Sequence, residues 1–172
     1  SSDLGSANLR SLRSLAEPSF IHGDLQVLKA PRRTHFPMLE PVRATGGLGL
    51  ALDVGSTTVA AYLCDMTSGD LLAWSSAINP QASFGEDIMT RVQRAVLEPD
   101  ARVRMHQLII ATADDLVHRL CRQAGRDPSG VTDLVVVGNP VMHHLFFDLD
   151  LSPLSRSPFR PAIRGALVVP AG

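Results

Sequence analysis

The residues with the clearest capacity for chemistry lie in one short segment, Asp53 to Thr58. Alternating apolar residues before it predict a strand that delivers Asp53 to its end, where Gly55 lets the backbone turn sharply. Ser56, Thr57 and Thr58 then offer backbone N–H and hydroxyl donors that can surround phosphate oxygens. A carboxylate beside such a loop can hold a hydrated Mg²⁺ ion.

A simpler interpretation of this segment stays open. In an ordinary hairpin the Asp53 carboxylate would accept hydrogen bonds from the turn backbone, and the loop would need no ligand. The spacing matches neither the Walker loop nor Gly-x-Gly-x-x-Gly, so those two kinds of phosphate site are not predicted.

Two further groups of polar residues stand at the ends of predicted elements. Glu86 and Asp87 begin a helix, where carboxylates complement the helix dipole. Arg91 lies one turn after Asp87, so a surface ion pair is the plainer alternative to a ligand contact. Gly138 and Asn139 end a strand, where sheets commonly bind ligands, or they form a plain turn before a proline-initiated helix.

Histidine and cysteine give little indication of a metal site. His143 and His144 are adjacent on a predicted helix and cannot share a face, so we expect one to be packed and the other exposed. Cys64 and Cys121 are the only cysteines and lie far apart in apolar segments. They are too few for an iron–sulfur site, and we expect them to be small buried hydrophobic residues.

The elements that must position these residues follow from the hydrophobic pattern. Apolar runs joined by short turns predict three consecutive strands near 48–53, 59–66 and 71–78, which form an antiparallel meander. Helical spacing predicts a helix after Gly85 that Pro99 interrupts, and a longer helix from about 101 to 124 with a glycine C-cap at Gly125.

The second half of the chain continues this pattern. An apolar, β-branched run at 131–137 predicts a central strand buried on both faces. A short helix is expected at 141–147, and three prolines predict an irregular connection at 152–161. Short strands are predicted around 25–28 and from 167. The order β-β-β-α-α-β-α indicates a mixed α/β layer domain.

The composition of the 172-residue chain excludes several classes of protein. A net charge of −1 argues against a nucleic-acid partner, because phosphate binding needs a cationic surplus. The sequence has neither the roughly 20 uninterrupted apolar residues of a membrane-spanning helix nor the pattern of a secretion signal. We therefore expect a cytoplasmic protein without a membrane partner.

Three separated blocks together resemble a known family. Asp-Val-Gly-Ser-Thr-Thr at 53–58, followed by a meander, is similar to the first phosphate loop of the acetate and sugar kinase, Hsp70 and actin superfamily. The other blocks are Ser-Ala-Ile-Asn-Pro-Gln at 76–81 with Phe-Gly-Glu-Asp-Ile at 84–88 and Arg91, and Val-Val-Val-Gly-Asn at 135–139 with Met-His-His-Leu-Phe at 142–146. Together they resemble the reductive activators of corrinoid proteins, over residues 47–161. Pro140 departs from the family pattern, in which a hydroxyl residue commonly follows Gly-Asn.

This resemblance implies a fold and a division of the chain. The fold is the ribonuclease H-like half of an actin-, Hsp70- and sugar kinase-type domain, a mixed α/β sheet of the meander plus one parallel strand, with packing helices. Residues 1–46 would end a preceding middle or linker domain. Residues 47–172 would form the first, incomplete half of the nucleotide-binding domain.

The resemblance also implies roles for individual residues. Asp53 would associate with Mg²⁺ through water. The expected contacts of the ATP phosphates are Gly55, Ser56, Thr57, Thr58, Gly138 and Asn139. The expected second wall of the cleft, or partner contact, consists of Asn79, Gln81, Glu86, Asp87 and Arg91.

The function implied is a part in ATP-dependent reductive activation. The family returns Co(II) corrinoid (cobalamin) proteins of methyltransferase and demethylase systems to Co(I), using electrons from a ferredoxin-like [2Fe-2S] domain that this chain lacks. The corrinoid protein would be the partner, and we expect this chain alone to be inactive. The unfinished edge of the sheet also predicts self-association.

Two other functions stay open. A small-molecule kinase of the same superfamily would share the phosphate loop but needs a substrate-positioning base, which no residue here clearly provides. In a non-catalytic interaction module the loop would be a structural hairpin. Failure of the parent protein to bind Mg·ATP would favour the module.

Overall fold

The computed structural model describes residues 27–28, 46–163 and 166–167. The elements in chain order are β1 (Val27–Leu28), β2 (Leu48–Val54), β3 (Thr58–Asp65), β4 (Leu71–Ile78), α1 (Ile88–Leu97), α2 (Pro99–Ala124), β5 (Val131–Gly138), α3 (Pro140–Phe146) and β6 (Ala166–Leu167). Short 3-10 turns occur at Pro80–Phe84, Pro128–Gly130 and Ser152–Leu154. None of the helices in these ranges is long and apolar enough to span a bilayer.

The main sheet has four strands in the spatial order β4-β3-β2-β5. Strand β3 is antiparallel to both of its neighbours, and β5 is parallel to β2. The predicted three-strand meander with one added parallel strand is confirmed. Strands β1 and β6 pair with each other in a separate antiparallel sheet.

Local chemistry explains the turns and helix ends. The Asp65 carboxylate accepts hydrogen bonds from the N–H groups of Thr67 (2.8 Å) and Ser68 (3.2 Å), which closes the hairpin between β3 and β4. Pro99 starts α2 directly after α1 has ended, as the sequence predicts. Gly125 follows α2 in the left-handed conformation (φ 61°), which confirms the predicted C-cap.

The core lies between one face of the sheet and the three helices. Helix α2 packs across β3 and β4 with its predicted apolar stripe, and α3 packs against α2 and β5. Leu52, Val59, Ala61 and Leu63 of the sheet are buried beneath them. The helices described here cover only this face, and the opposite face of the sheet has no covering element within the described ranges.

The prediction that 131–137 is a central strand buried on both faces is wrong. Strand β5 lies at the edge of the sheet, since β2 is its only partner among the described strands. Val135 and Val137 are 61% and 54% exposed on the open face. A β-branched run identifies a strand, but it carries no information about how many neighbours that strand has.

Candidate functional site

The three polar blocks of the sequence meet at one edge of the sheet. Strands β2, β4 and β5 run in the same direction, so their carboxyl ends, at Val54, Ile78 and Gly138, lie at the same edge. Val54 pairs with Gly138, and the Asn79 N–H donates to the Thr57 carbonyl at 2.8 Å. Segments that are far apart in the sequence therefore form a continuous surface here.

The loop between β2 and β3, residues 55–57, is tight. The Gly55 N–H donates to the Thr58 carbonyl at 3.0 Å, and a Cβ at position 55 would lie only 2.6 Å from that carbonyl oxygen. A Cβ at Gly138 would lie 3.0 Å from the Val54 carbonyl oxygen. Both glycines thus permit close backbone approaches that a side chain would prevent.

The carbonyl groups of this loop all have donors from the second block. The Gly55 carbonyl accepts from Asn79 Nδ2 at 2.8 Å, and the Ser56 carbonyl accepts from Arg91 Nη1 at 2.7 Å. The Thr57 carbonyl accepts from the Asn79 N–H. The loop is therefore anchored through its oxygens, and the N–H groups of Ser56 and Thr57 are left to face elsewhere.

Several polar groups of the first block remain available for a ligand. Among the described residues, the backbone N–H groups of Ser56 and Thr57 have no hydrogen-bond partner, and neither do the hydroxyls of Ser56, Thr57 and Thr58. Asp53 is exposed and accepts no hydrogen bond from the turn backbone in this part of the chain, so the plain-hairpin role for its carboxylate is wrong. Unpartnered donors beside an exposed carboxylate fit a phosphate group and its Mg²⁺ ion.

Asn79 and Gln81 lie behind the loop, where both are fully buried. Asn79 Oδ1 caps the following 3-10 turn by accepting from the Gln81 N–H at 2.9 Å. Gln81 Nε2 donates to the Met105 carbonyl of α2 at 3.0 Å. The prediction that these two side chains form an open cleft wall is therefore corrected: they support the loop from the core side.

Glu86 and Asp87 precede α1 on the surface. Asp87 is the N-cap, and its carboxylate accepts from the Thr90 N–H at 2.9 Å and from the Thr90 hydroxyl. These hydrogen bonds hold the pKa of Asp87 below its ordinary value. Asp87 thus stabilises the helix start, while the exposed Glu86 keeps its predicted contact role as a proposal.

Arg91 is 1% exposed, so the surface ion pair with Asp87 is wrong. Its guanidinium donates to the carbonyls of Gly85 (2.7 Å), Glu86 (3.4 Å) and Ser56. Burial lowers the pKa of Arg91, and the nearby Asp87 carboxylate partly offsets that effect. Arg91 joins the loop at 55–57 to the start of α1.

Asn139 combines both predicted interpretations of its position. Its Oδ1 caps α3 by accepting from the N–H groups of Val141 and Met142, each at 3.0 Å, and Pro140 takes the first helical position. It therefore forms the turn before a proline-initiated helix, and it does so at the same edge as the loop. A direct ligand contact by Gly138 or Asn139 stays a prediction.

The sequence assigned no role to His106, and it indicated only packing for one histidine of the adjacent pair. His144 is that packed residue: its Nδ1 lies 2.7 Å from the Pro140 carbonyl oxygen, and its Nε2 accepts from the Ala162 N–H at 3.0 Å. His143 is half-buried rather than exposed, and it packs edge-on against Phe147. His106 Nδ1 lies 2.9 Å from the Phe146 carbonyl oxygen.

These histidine contacts join residues far apart in the chain, so no local spacing signals them. Over the described ranges, no group of three or more His, Cys, Asp or Glu residues is arranged to hold a metal ion.

Fold and site together define a mixed α/β domain with a tight polar loop at the carboxyl ends of its parallel strands. The chain belongs to the family described as the RACo middle region, whose model matches residues 48–172. The predicted resemblance to reductive activators of corrinoid proteins is confirmed.

Two relatives are similar over about two thirds of this chain. "Corrinoid activation enzyme RamQ" of Eubacterium limosum is 35% identical over 111 residues, which cover 64% of this chain and 19% of that protein. The solved structure of "Reductive activator for corrinoid,iron-sulfur protein" has a TM-score of 0.66 and 34% identity, covering 67% of this chain and 18% of that one.

The chain therefore spans about a fifth of the length of these relatives. An archaeal actin homolog reaches a TM-score of only 0.41 with 13% identity over 66% of this chain and 43% of its own. No conclusion follows from a similarity at that level.

Proposed function

We propose that this chain is part of an ATP-dependent reductive activator of corrinoid proteins and that the loop at 55–58 binds the phosphates of Mg·ATP. The observation that carries the proposal is the convergence of the three sequence blocks at one sheet edge, where donors of the loop lack partners within the described chain. Both relatives are described as activators in corrinoid systems, which supports a corrinoid protein as the partner.

The roles of the residues follow from their positions. The N–H and hydroxyl groups of Ser56 and Thr57 would donate to phosphate oxygens, with Thr58 at the start of β3 adding its hydroxyl. Asp53 would hold Mg²⁺ through water, which suits an ion that keeps most of its hydration shell. Bound Mg²⁺ would neutralise phosphate charge during hydrolysis.

The proposed reaction couples two processes. A [2Fe-2S] cluster held outside this chain would supply the one electron that converts Co(II) to Co(I), and hydrolysis of ATP to ADP and phosphate would accompany this reduction. Hydrolysis can favour this reduction only if ATP and ADP bind with different affinity to two conformations of the complex. The loop at the sheet edge is where this chain would sense which nucleotide is present.

The cluster itself would be held elsewhere in the protein. A [2Fe-2S] centre takes four cysteine ligands, and this chain has two cysteines in total. Cys121 is buried on α2 and Cys64 is half-buried on the sheet. Our proposal for the division of the chain is that residues 1–46 end a preceding domain and that residues 47–172, which include the match to the RACo middle region, form the first, incomplete half of the nucleotide-binding domain.

The test is ATP hydrolysis by the full-length protein, measured with and without its Co(II) corrinoid protein. We expect stimulation by the partner, lost in Asp53→Ala and Asp53→Asn. The matched control is Asp70→Ala, which removes an exposed carboxylate at the opposite end of the sheet. ATP consumption only when a small acceptor is added would favour the kinase, and failure to bind Mg·ATP would favour the interaction module.

A further inference from the structure

We infer that Arg91 is a positioning residue for the phosphate loop, fixing the direction of the Thr57 N–H through the Ser56 carbonyl. This inference rests on the proposed function, because it assigns a mechanical cause to nucleotide binding by that loop. It concerns a side chain that is buried behind the loop and touches no ligand.

The Ser56 carbonyl and the Thr57 N–H belong to one peptide unit. In a planar trans peptide the carbonyl and the following N–H point in opposite directions. Because Arg91 Nη1 holds the Ser56 carbonyl inward at 2.7 Å, the Thr57 N–H must face outward. Asn79 Nδ2 acts in the same way on the Gly55 carbonyl, which turns the Ser56 N–H outward.

The positions of the loop N–H groups agree with this reasoning. Those of Ser56 and Thr57 are the ones without a hydrogen-bond partner in the described part of the chain. Without Arg91, the peptide unit between Ser56 and Thr57 would be free to rotate, and the Thr57 N–H would lose its fixed direction. A nucleotide would then have to order the loop on binding, which costs affinity.

Arg91 is suited to this task because it makes contacts on two sides. Its Nε donates to the Gly85 carbonyl at 2.7 Å while Nη1 reaches the loop 35 residues earlier in the sequence. A lysine could satisfy one of these carbonyls but lacks the planar fork that bonds both. The guanidinium thus fixes the distance between the loop and the start of α1.

The charge of Arg91 favours the same ligand. Within the described ranges Arg91 forms no ion pair with a carboxylate, and its hydrogen bonds go to backbone carbonyls. The nearby Asp87 carboxylate offsets part of this charge, but a buried cation still attracts an anion more strongly than an exposed one, because little water screens it. A phosphate group at the loop would be attracted by the positive charge of Arg91.

The experiment measures the Kd of the full-length protein for Mg·ATP by calorimetry. Loss of a charge-assisted hydrogen bond predicts about 10- to 100-fold weaker binding in Arg91→Lys and Arg91→Ala. Arg94→Ala is the matched control, since Arg94 is an exposed arginine of the same helix that pairs with Glu98. Its Kd should equal that of the wild type.

Guanidinium ion at low millimolar concentration separates positioning from general damage. It should restore part of the affinity of Arg91→Ala but leave the wild type and Arg94→Ala unchanged. If Arg91→Ala does not fold, Arg91→Lys decides the question, with its fold checked by circular dichroism.

The outcomes distinguish this inference from the function on which it rests. Wild-type Kd in folded Arg91→Lys would overturn the inference alone, and so would an affinity loss in Arg91→Ala that guanidinium does not restore. Absence of Mg·ATP binding by the wild type would overturn the proposed function itself, and the inference with it.

Discussion

Replacing Asn79 with alanine should destabilise the chain strongly, because its side-chain amide satisfies backbone groups behind the loop. Asn79 is 0% exposed, and two of its side-chain hydrogen bonds satisfy groups that have no other donor or acceptor among the described residues. These groups are the Gly55 carbonyl and the Gln81 N–H. In Asn79→Ala the Gln81 N–H remains buried without a partner, and the part-buried Gly55 carbonyl loses its donor.

The magnitude follows from those two groups. An unsatisfied buried donor costs about 1–3 kcal/mol and the part-buried Gly55 carbonyl adds less, so Asn79→Ala should lower the free energy of unfolding by about 1–4 kcal/mol. Domains of this kind unfold at a cost of only about 5–15 kcal/mol, so the effect is a large share of the total. Urea denaturation of the chain, followed by circular dichroism, measures it directly.

A matched control lies four residues away on the same 3-10 turn. Ser83 donates to the Pro80 carbonyl at 2.8 Å but is exposed, so Ser83→Ala should change stability by no more than about 0.5 kcal/mol. If Asn79→Ala cost as little as Ser83→Ala, the reasoning that Asn79 anchors the loop from behind would be refuted.

Three further predictions concern other parts of the chain. Burial lowers the pKa of His144 from 6.5, so the unfolded form binds more protons near pH 6. The stability measured in urea should therefore fall as the pH drops from 7 to 5, and it should fall less in His144→Gln. An equal fall in the wild type and in the variant would contradict this prediction. Burial also raises the pKa of the Cys121 thiol, so a thiol reagent should modify the half-buried Cys64 first. Equal rates of modification at the two cysteines would contradict this prediction. We expect the open edge and face at β5 to promote self-association, which sedimentation velocity can measure and which Val137→Lys should reduce. A wild-type monomer at all concentrations would exclude this self-association.

The sequence predicts the elements of this fold well because their signals are local. Alternation defines the strands of the meander, Pro99 separates the two helices, and Gly125 ends the second one. The burial of β5 could not be predicted in this way. Whether Val135 and Val137 are covered depends on neighbours in space, which the pattern within a strand does not contain.

The sequence also identifies some residues of the candidate site and misses the burial of others. Asp53 and the loop at 55–58 stand out from their residue types, and the parallel course of β2 and β5 brings Gly138 beside them. The burial of Asn79 and Arg91 depends on hydrogen bonds to carbonyls 24 and 35 residues away. Backbone carbonyls are present at every residue, so no pattern in the sequence marks which ones a distant side chain will bind.

Amide hydrogen exchange of the full-length protein, with and without Mg·ATP, tests the central claim most directly. The Ser56 and Thr57 N–H groups lack partners in the described chain, so they should exchange rapidly in the free protein. The account predicts strong protection of these two amides by Mg·ATP, and none in Asp53→Ala. Unchanged exchange at residues 55–58 when nucleotide is bound would contradict it.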